Sequence, residues 1–256
     1  MGCEIISDTL DLEMESLEAI LPDPSKPETI GPGYPFPMLR RSGQVRQMSL
    51  RTITLRNDYV EAVFCVDLGG RLLALRDLQN GVSALPSGLV LVDDPVRGVA
   101  VRGGLEFALN GTRPGAMAAV DFATNEDEAA ELVMFELVHG SDLAWILRAE
   151  LAEDSVGLDL TLALQNRGGE FREVEVGWIW EGDRVGIAME DPPVALRHPP
   201  CRQGGIFRLA PHQVVTSKYT LHPLAFSPLI ANTKGAIGID ERTAHLQVFE
   251  DAPQAK

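Results

Sequence analysis

After residue 50 the sequence consists largely of short runs in which apolar and polar residues alternate, and this pattern limits the possible folds most. In residues 156–166 (VGLDLTLALQN) four leucines at alternate positions share one face, while Asp159, Thr161 and Ala163 share the other. A strand buried on one face has this period of two, whereas a helix has a period of about 3.6 residues. Similar strand-like runs occupy residues 50–56, 59–67, 71–77, 89–94, 131–139 and 143–151.

Turn residues separate these runs. Asn57-Asp58, Asn80-Gly81, Asp154-Ser155 and residues 166–169 recur at intervals of about 10–15 residues, which is typical of antiparallel all-β proteins. No helical pattern of comparable strength follows residue 22. The sequence therefore predicts an all-β fold, a large antiparallel sandwich or barrel, over residues 39–250, followed by a short tail at residues 251–256.

The first 38 residues differ in character. In residues 7–21, Leu10, Met14, Leu17 and Leu21 fall at helical spacing, and the acids between them form another face. This spacing predicts one amphipathic helix within an acidic N-terminal segment, residues 1–21. Its acidic face is expected to be solvated, and docking to a partner is the alternative. Six prolines follow, and they predict an extended connector over residues 22–38.

The charge balance limits the possible partners. Acidic side chains outnumber basic ones by 37 to 22, which gives a formal net charge of −15 and argues against binding to nucleic acid or to an anionic membrane surface. No apolar run reaches the roughly 18 residues of a membrane span, and no basic leader is evident, so a cytoplasmic protein is expected. The cysteines Cys3, Cys65 and Cys201 are too few and too widely spaced for a disulfide framework or a zinc site.

The sequence carries no familiar cofactor motif. No phosphate-binding loop is present, and the double glycines at residues 69–70, 103–104 and 204–205 do not precede amphipathic helices, as a dinucleotide site would require. No metal or other cofactor is therefore expected. The five histidines are isolated from one another, which favours structural roles over metal binding: His139, His198, His212, His222 and His245.

Two segments combine a double glycine with charged residues in apolar surroundings. Residues 66–77 place Arg71 directly after Gly69-Gly70. Residues 101–111 place Arg102 before Gly103-Gly104 and put Glu106 between apolar neighbours. Alternation along a strand turns Glu106 away from those neighbours, so that it faces either water or a binding site.

The order and spacing of these segments resemble the galactose mutarotase-like superfamily. More narrowly, they resemble an uncharacterised domain that precedes tetratricopeptide repeats in bacterial proteins. The elements that carry this resemblance are residues 68–71 (LGGR), residues 102–107 (RGGLEF), the strand at 119–122, the Asn-Arg turn at 166–167 and the tryptophan-rich strand at 177–183. Together they extend over about half of the chain.

The resemblance implies an antiparallel β-supersandwich whose concave face binds a sugar. It implies that Arg71, Arg102 and Glu106 lie on the sugar side, where their directional hydrogen bonds would hold hydroxyl groups. Trp178 and Trp180 are candidates for stacking against a pyranose ring. Because they are two residues apart on one strand, a position in the core is the alternative for both.

The sequence departs from the active mutarotases that it resembles. In those enzymes histidines act as general acid and a glutamate late in the chain acts as general base, because ring opening needs both. Here residues 112–122 and 177–183 contain no histidine. The closing strands that would carry the base are expected to be missing, with Glu241 and Glu250 as weak substitutes.

Three functions follow as expectations. The first is a mutarotase-like domain that binds a sugar or a sugar phosphate and lacks the standard acid and base. The second is an active aldose 1-epimerase that uses Glu106 with His139, His212 or His222. The third is a non-catalytic interaction module in which the N-terminal segment docks a partner or a second copy, giving a homodimer.

Overall fold

The computed structural model describes residues 2–20, 25, 38–85, 88–94, 98–109, 119–126, 129–138, 141–180, 185–189, 196–197, 202–223, 236–239 and 246–248. Within these ranges the chain forms strands and one 3-10 turn at Val66–Leu68. The strands are β1 (Glu4–Ile20), β2 (Met38–Arg56), β3 (Val60–Cys65), β4 (Arg71–Asp77), β5 (Val82–Ser83), β6 (Val90–Asp94), β7 (Gly98–Arg102), β8 (Leu105–Leu109), β9 (Asp121–Asn125), β10 (Ala130–Leu137), β11 (Leu143–Leu151), β12 (Leu158–Asn166), β13 (Arg172–Trp180), β14 (Val185–Met189), β15 (Leu196–Arg197), β16 (Arg202–Leu209), β17 (Val214–Pro223), β18 (Ala236–Ile239) and β19 (Leu246–Val248).

Most strands belong to two antiparallel sheets. The nine-stranded sheet has the order β1-β2-β3-β4-β8-β13-β16-β15, with β5 paired to β4. The eight-stranded sheet has the order β19-β18-β14-β17-β12-β11-β10-β9, and β6 and β7 form a separate hairpin. The predicted antiparallel all-β fold is confirmed. In the described part of the chain, no helix has the length and apolar character needed to cross a membrane.

The core lies between the two sheets. The four alternating leucines of β12 are all buried, and Asp159 between them is exposed, as the pattern in residues 156–166 predicts. Aromatic contacts join the sheets: the ring centroids of Phe107 on β8 and Trp145 on β11 are 5.3 Å apart. Trp178 on β13 and Tyr219 on β17 are also 5.3 Å apart.

The predicted N-terminal helix is wrong, because residues 4–20 form strand β1. This strand pairs with β2 from Glu4 opposite Arg56 to Ile20 opposite Met38. The segment contains both periods: besides the helical spacing, apolar residues at positions 10, 12 and 14 alternate with acids. Pairing with β2 gives the backbone regular hydrogen-bond partners and buries Met14, which favours the period of two.

The other predicted boundaries fall mainly on residues that the structure does not describe. Within the connector predicted at residues 22–38, only Ser25 and Met38 are described, and Met38 begins β2. The tail at residues 251–256 lies outside the described residues.

Two buried asparagines connect turns of the sandwich through side-chain hydrogen bonds. Asn57 Nδ2 donates to the carbonyl oxygens of Ala152 and Ser155, each at 2.8 Å, and so ties the β2–β3 turn to the β11–β12 turn. Asn166 Nδ2 donates to the carbonyl oxygen of Ala210 at 3.1 Å. The Asn-Arg turn noted in the sequence therefore contains a structural hydrogen-bond donor.

Candidate functional site

Arg71 begins β4 directly after two glycines in the left-handed conformation. Gly69 has φ 69° and Gly70 has φ 72°, at the end of the Val66–Leu68 turn. A Cβ atom on Gly70 would lie 2.7 Å from Met134 Sδ. Glycine is the residue that adopts this backbone without strain, so the double glycine fixes the point at which Arg71 enters the sheet.

The side chains of Arg71 and Glu106 form a buried ion pair. They are 2% and 5% exposed, and Arg71 Nη2 donates to Glu106 Oε2 at 2.6 Å. Arg71 also donates to two main-chain oxygens: Nη1 to Gly103 at 2.7 Å and Nη2 to Val101 at 3.0 Å. These hydrogen bonds offset part of the cost of removing both charges from water.

The pair lies on the side of the nine-stranded sheet that faces away from the core. Leu105 and Phe107 belong to the main core cluster, so alternation along β8 turns Glu106 to the opposite face. There the end of β7 and the following turn supply the carbonyl groups that Arg71 binds. Glu106 therefore does not face water, because its carboxylate is buried against Arg71.

The second double glycine is needed for close packing. Gly103 has φ 114° and Gly104 has φ 68°. A Cβ atom on Gly103 would lie 2.2 Å from the carbonyl oxygen of Gly88, and one on Gly104 would lie 2.3 Å from that of Leu72. Because both obstacles are backbone atoms, no side-chain rotation can relieve them. The turn between β7 and β8 is therefore held against two other segments.

We expect Gly104→Ala to lower the free energy of unfolding by about 2–5 kcal/mol, because strain at positive φ adds to the steric conflict with Leu72. Urea denaturation measures this difference. Gly43→Ala is the matched control, since Gly43 has φ 75° but no atom near its Cβ position, and it should lose about 1 kcal/mol. Equal losses in the two variants would contradict the close packing of Gly104.

Arg102 completes the group of charged residues at this turn. It is the last residue of β7, and its side chain is exposed. Its two neighbours, Val101 and Gly103, provide the carbonyl oxygens that bind Arg71. The structure thus brings Arg71, Arg102 and Glu106 to one turn, where Arg102 is exposed and the other two residues are buried.

The tryptophans lie on the neighbouring strand β13. Trp178 is opposite Phe107 in the β8–β13 pairing, and Trp180 is opposite Leu105. The Trp178 side chain is 2% exposed and packs against Phe107 and Tyr219 in the core. Trp178 therefore occupies the core position considered as the alternative, whereas the Trp180 side chain lies outside the described part of the structure.

Burial near the site favours the neutral forms of the Cys65 thiol and the Tyr219 phenol. Cys65 pairs with Arg71 across β3 and β4, and burial raises the pKa of its thiol to about 11. The thiolate is therefore scarce at neutral pH, which argues against Cys65 as a nucleophile. Burial also raises the pKa of the Tyr219 phenol.

An exposed ion pair next to this site was not predicted. Arg51 Nη2 donates to Asp67 Oδ1 at 2.6 Å, and the Arg51 main-chain N–H donates to Asp67 Oδ2 at 2.7 Å. The Arg51 guanidinium holds the pKa of Asp67 below its usual range and lies 5.8 Å from the centre of the Phe122 ring. The only hint of this ion pair in the sequence is an aspartate, Asp67, close to a double glycine. The pairing with Arg51 could not be predicted, because it depends on the approach of the 3-10 turn to β2.

The candidate acids and bases of an epimerase are not assembled around Glu106 in the described residues. His212 is an exposed turn residue with φ 60°, and the His222 ring packs over Gly157. Neither has a described contact with Glu106. His139, Glu241 and Glu250 lie outside the described residues. Among the residues that are described, no group of three or more His, Cys, Asp or Glu side chains could hold a metal ion.

Comparison with known proteins shows similarity at the level of the fold. No protein-family model and no curated protein sequence matches the chain. A TPR-domain containing protein from Parabacteroides distasonis matches with a TM-score of 0.65 and 14% identity, over 89% of this chain and 57% of that chain. This chain therefore spans less than two thirds of that protein.

The solved structures that match also include proteins of the superfamily resembled by the sequence. A galactose mutarotase-like protein from Clostridium acetobutylicum has a TM-score of 0.40 and 13% identity, over 59% of this chain and 58% of that chain. A candidate aldose 1-epimerase from Klebsiella pneumoniae has a TM-score of 0.48 and 7% identity, over 87% and 92%. At identities of 14% or less, these likenesses concern the fold alone.

Proposed function

We propose that this domain binds a carbohydrate, either a sugar or a sugar phosphate, and does not carry out the standard epimerase reaction. The observation that carries the proposal is the fixed turn between β7 and β8. There the exposed Arg102 lies between Val101 and Gly103, whose carbonyl groups accept hydrogen bonds from the buried Arg71.

A sugar site needs polar groups whose positions are set before the ligand arrives, because ordering them on binding would cost affinity. The main chain on both sides of Arg102 is held, since the carbonyl groups of Val101 and Gly103 accept hydrogen bonds from Arg71. The guanidinium of Arg102 offers planar, directional donors that suit a pair of hydroxyl groups or a phosphate.

In this arrangement Arg102 meets the ligand, and the buried Arg71 and Glu106 act as positioning residues for the turn that contains it. Their burial keeps them from bulk water and makes the geometry of the turn depend on their contact. Trp178 supports the same region from the core through Phe107, which neighbours Glu106 on β8.

The second part of the proposal concerns catalysis. Opening a pyranose ring requires a base at the anomeric hydroxyl and an acid at the ring oxygen. Glu106 is engaged by Arg71 at 2.6 Å, and residues 112–122 and 177–183 supply no histidine. These observations support binding without ring opening.

A thermal-shift panel of monosaccharides, sugar phosphates and short oligosaccharides tests the binding function. We expect one class to raise Tm with dose, because ligand at 100 times its Kd adds about 2.7 kcal/mol to stability. A panel without any shift would overturn the proposal. Mutarotation of glucose, galactose and their 6-phosphates should proceed at the rate in buffer, and acceleration by the protein would refute the absence of catalysis.

We expect Arg102→Ala to abolish the shift produced by the active sugar class while leaving the Tm of the ligand-free protein nearly unchanged, because the side chain is exposed. Arg208→Ala is the matched control: its side chain is 82% exposed on β16, and this variant should keep the ligand-induced shift. Retention of the shift by Arg102→Ala would locate the site elsewhere.

A further inference from the structure

Strand β1 is the edge of the nine-stranded sheet. Among the described residues it pairs with β2 and with no other strand. It is 17 residues long, whereas strands in globular proteins average about 5–6 residues. An edge of this length presents a row of main-chain N–H and C=O groups to which another extended segment can pair.

Two hydrogen bonds show which main-chain groups of β1 point outward. The N–H of Ile5 donates to Glu126 Oε1 at 2.9 Å, and the N–H of Thr9 donates to Asp8 Oδ1 at 2.7 Å, so neither is directed at β2. Because strand residues alternate in direction, the N–H groups of Asp11, Glu13 and Glu15 also face away from β2. Side chains accept hydrogen bonds from the main-chain N–H groups of Ile5 and Thr9. No described side chain accepts a hydrogen bond from the main-chain N–H group of Asp11 or Glu13.

The outward-facing part of β1 belongs to a two-stranded arm, which we define as residues 10–20 and 38–50. Strand β3 pairs only with residues 52–56 of β2, so the arm extends past it. In the arm, Met14 and Leu50 are buried, whereas Asp11 and Glu13 are exposed. The β2 half of the arm contacts the β6–β7 hairpin, where Arg41 donates to the carbonyl oxygen of Leu91. The β1 half has no further strand beside it among the described residues, so an added strand would stabilise this outer edge.

Charge indicates what kind of strand would fit. Strand β1 contains six acids and no basic residue. Three of the acids pair with arginines of β2: Glu4 with Arg56, Glu15 with Arg41 and Glu18 with Arg40. Asp11 and Glu13 form no ion pair with a described residue. A second copy of β1 in antiparallel pairing would oppose acids to acids, which destabilises a sheet.

We propose that the β1 edge from Asp11 to Glu15 binds an extended, basic segment of a partner protein by strand addition. Main-chain hydrogen bonds supply affinity, and lysine or arginine at alternate positions of the segment pairs with Asp11 and Glu13. The intervening apolar residues lie beside Leu10 and Leu12, which are partly exposed on the other face. Acidic residues on an edge strand also protect a protein against aggregation. The experiment must therefore distinguish binding of a partner segment from this protective role.

A labelled nine-residue peptide of alternating valine and lysine is the probe, titrated with the full chain by fluorescence anisotropy. We expect saturable binding that weakens with salt, together with slower hydrogen exchange at the amides of Asp11 and Glu13. A valine and glutamate peptide should not bind at the same concentrations. The valine and lysine peptide should also fail to bind when it is N-methylated at the alternate amides that would face β1. Such a peptide cannot form the main-chain hydrogen bonds of strand pairing.

We expect Asp11→Lys with Glu13→Lys to weaken binding of the lysine peptide about tenfold or more, because two favourable cross-strand pairs become repulsive. The matched control is Glu150→Lys with Asp159→Lys, which changes two exposed acids that lie opposite each other on β11 and β12. Unchanged affinity in the first variant, or full binding of the N-methylated peptide, would overturn the proposal. A dimer by light scattering that the β1 variant abolishes would assign the edge to a second copy and would also overturn it.

Discussion

Replacing Arg71 with methionine is expected to lower the free energy of unfolding by about 3–5 kcal/mol, because the substitution removes the arginine from a buried carboxylate. Glu106 accepts the shortest of the three described Arg71 hydrogen bonds, at 2.6 Å, and both side chains are almost fully buried. The carbonyl groups of Val101 and Gly103 lose a donor in the same variant. The substitution thus removes the hydrogen-bond donor of the Glu106 carboxylate and of both carbonyl groups, at the turn that contains Arg102.

Urea denaturation of single and double variants measures the coupling. Arg71→Met combined with Glu106→Gln should be more stable than Arg71→Met alone, because the double variant leaves no buried carboxylate. Arg208→Met is the control, since Arg208 and Glu173 form an exposed pair at 3.6 Å. Its loss should stay within about 0.5 kcal/mol. A double variant no more stable than Arg71→Met would contradict the ionic origin of the effect.

The same series distinguishes a purely structural pair from one that positions the ligand site. If Arg71 positions Arg102, the folded Arg71→Met variant should show a weaker sugar-induced shift than the wild type at equal ligand concentration. Arg208→Met should retain the full shift. A pair that served stability alone would lower the Tm of the ligand-free protein and leave the shift unchanged.

The sequence was sufficient to predict the antiparallel all-β class because strand alternation and glycine carry local physical information. In β12 the four leucines require one buried face, whatever the neighbouring strands are. The double glycines at 69–70 and 103–104 mark positive φ values, which few other residues adopt. These local rules apply without knowledge of the tertiary contacts, and they located the two turns that bring Arg71 and Glu106 together.

The remaining features depend on contacts between distant parts of the chain. The segment at residues 4–20 satisfies both a helical and a strand period, and only its pairing with β2 decides between them. Arg51 and Asp67 are 16 residues apart and meet because the 3-10 turn packs against β2. Likewise, alternation could place Glu106 away from the core but could not reveal that Arg71 and the end of β7 cover it.

A substitution of Trp178 is the second change for which we expect a large effect on stability. The sequence allowed two roles for this residue, stacking against a ligand and packing in the core. We expect Trp178→Ala to lower the free energy of unfolding by about 3–5 kcal/mol, since it removes an indole that contacts Phe107 and Tyr219 between the sheets. Denaturant unfolding followed by far-ultraviolet circular dichroism measures the loss. Phe171→Ala, at a side chain that is 78% exposed, is the matched aromatic control and should change stability by less than about 0.5 kcal/mol.

A more conservative change separates the two roles of Trp178. Trp178→Phe keeps an aromatic ring in the core, so the variant should remain folded and should retain the sugar-induced shift in Tm. A residue that stacked on the ligand would behave differently: Trp178→Phe would weaken the shift, and Trp178→Ala would abolish it with little loss of stability. That outcome would move the proposed binding face from the turn at Arg102 to strand β13, and it would contradict the burial of the indole between the sheets.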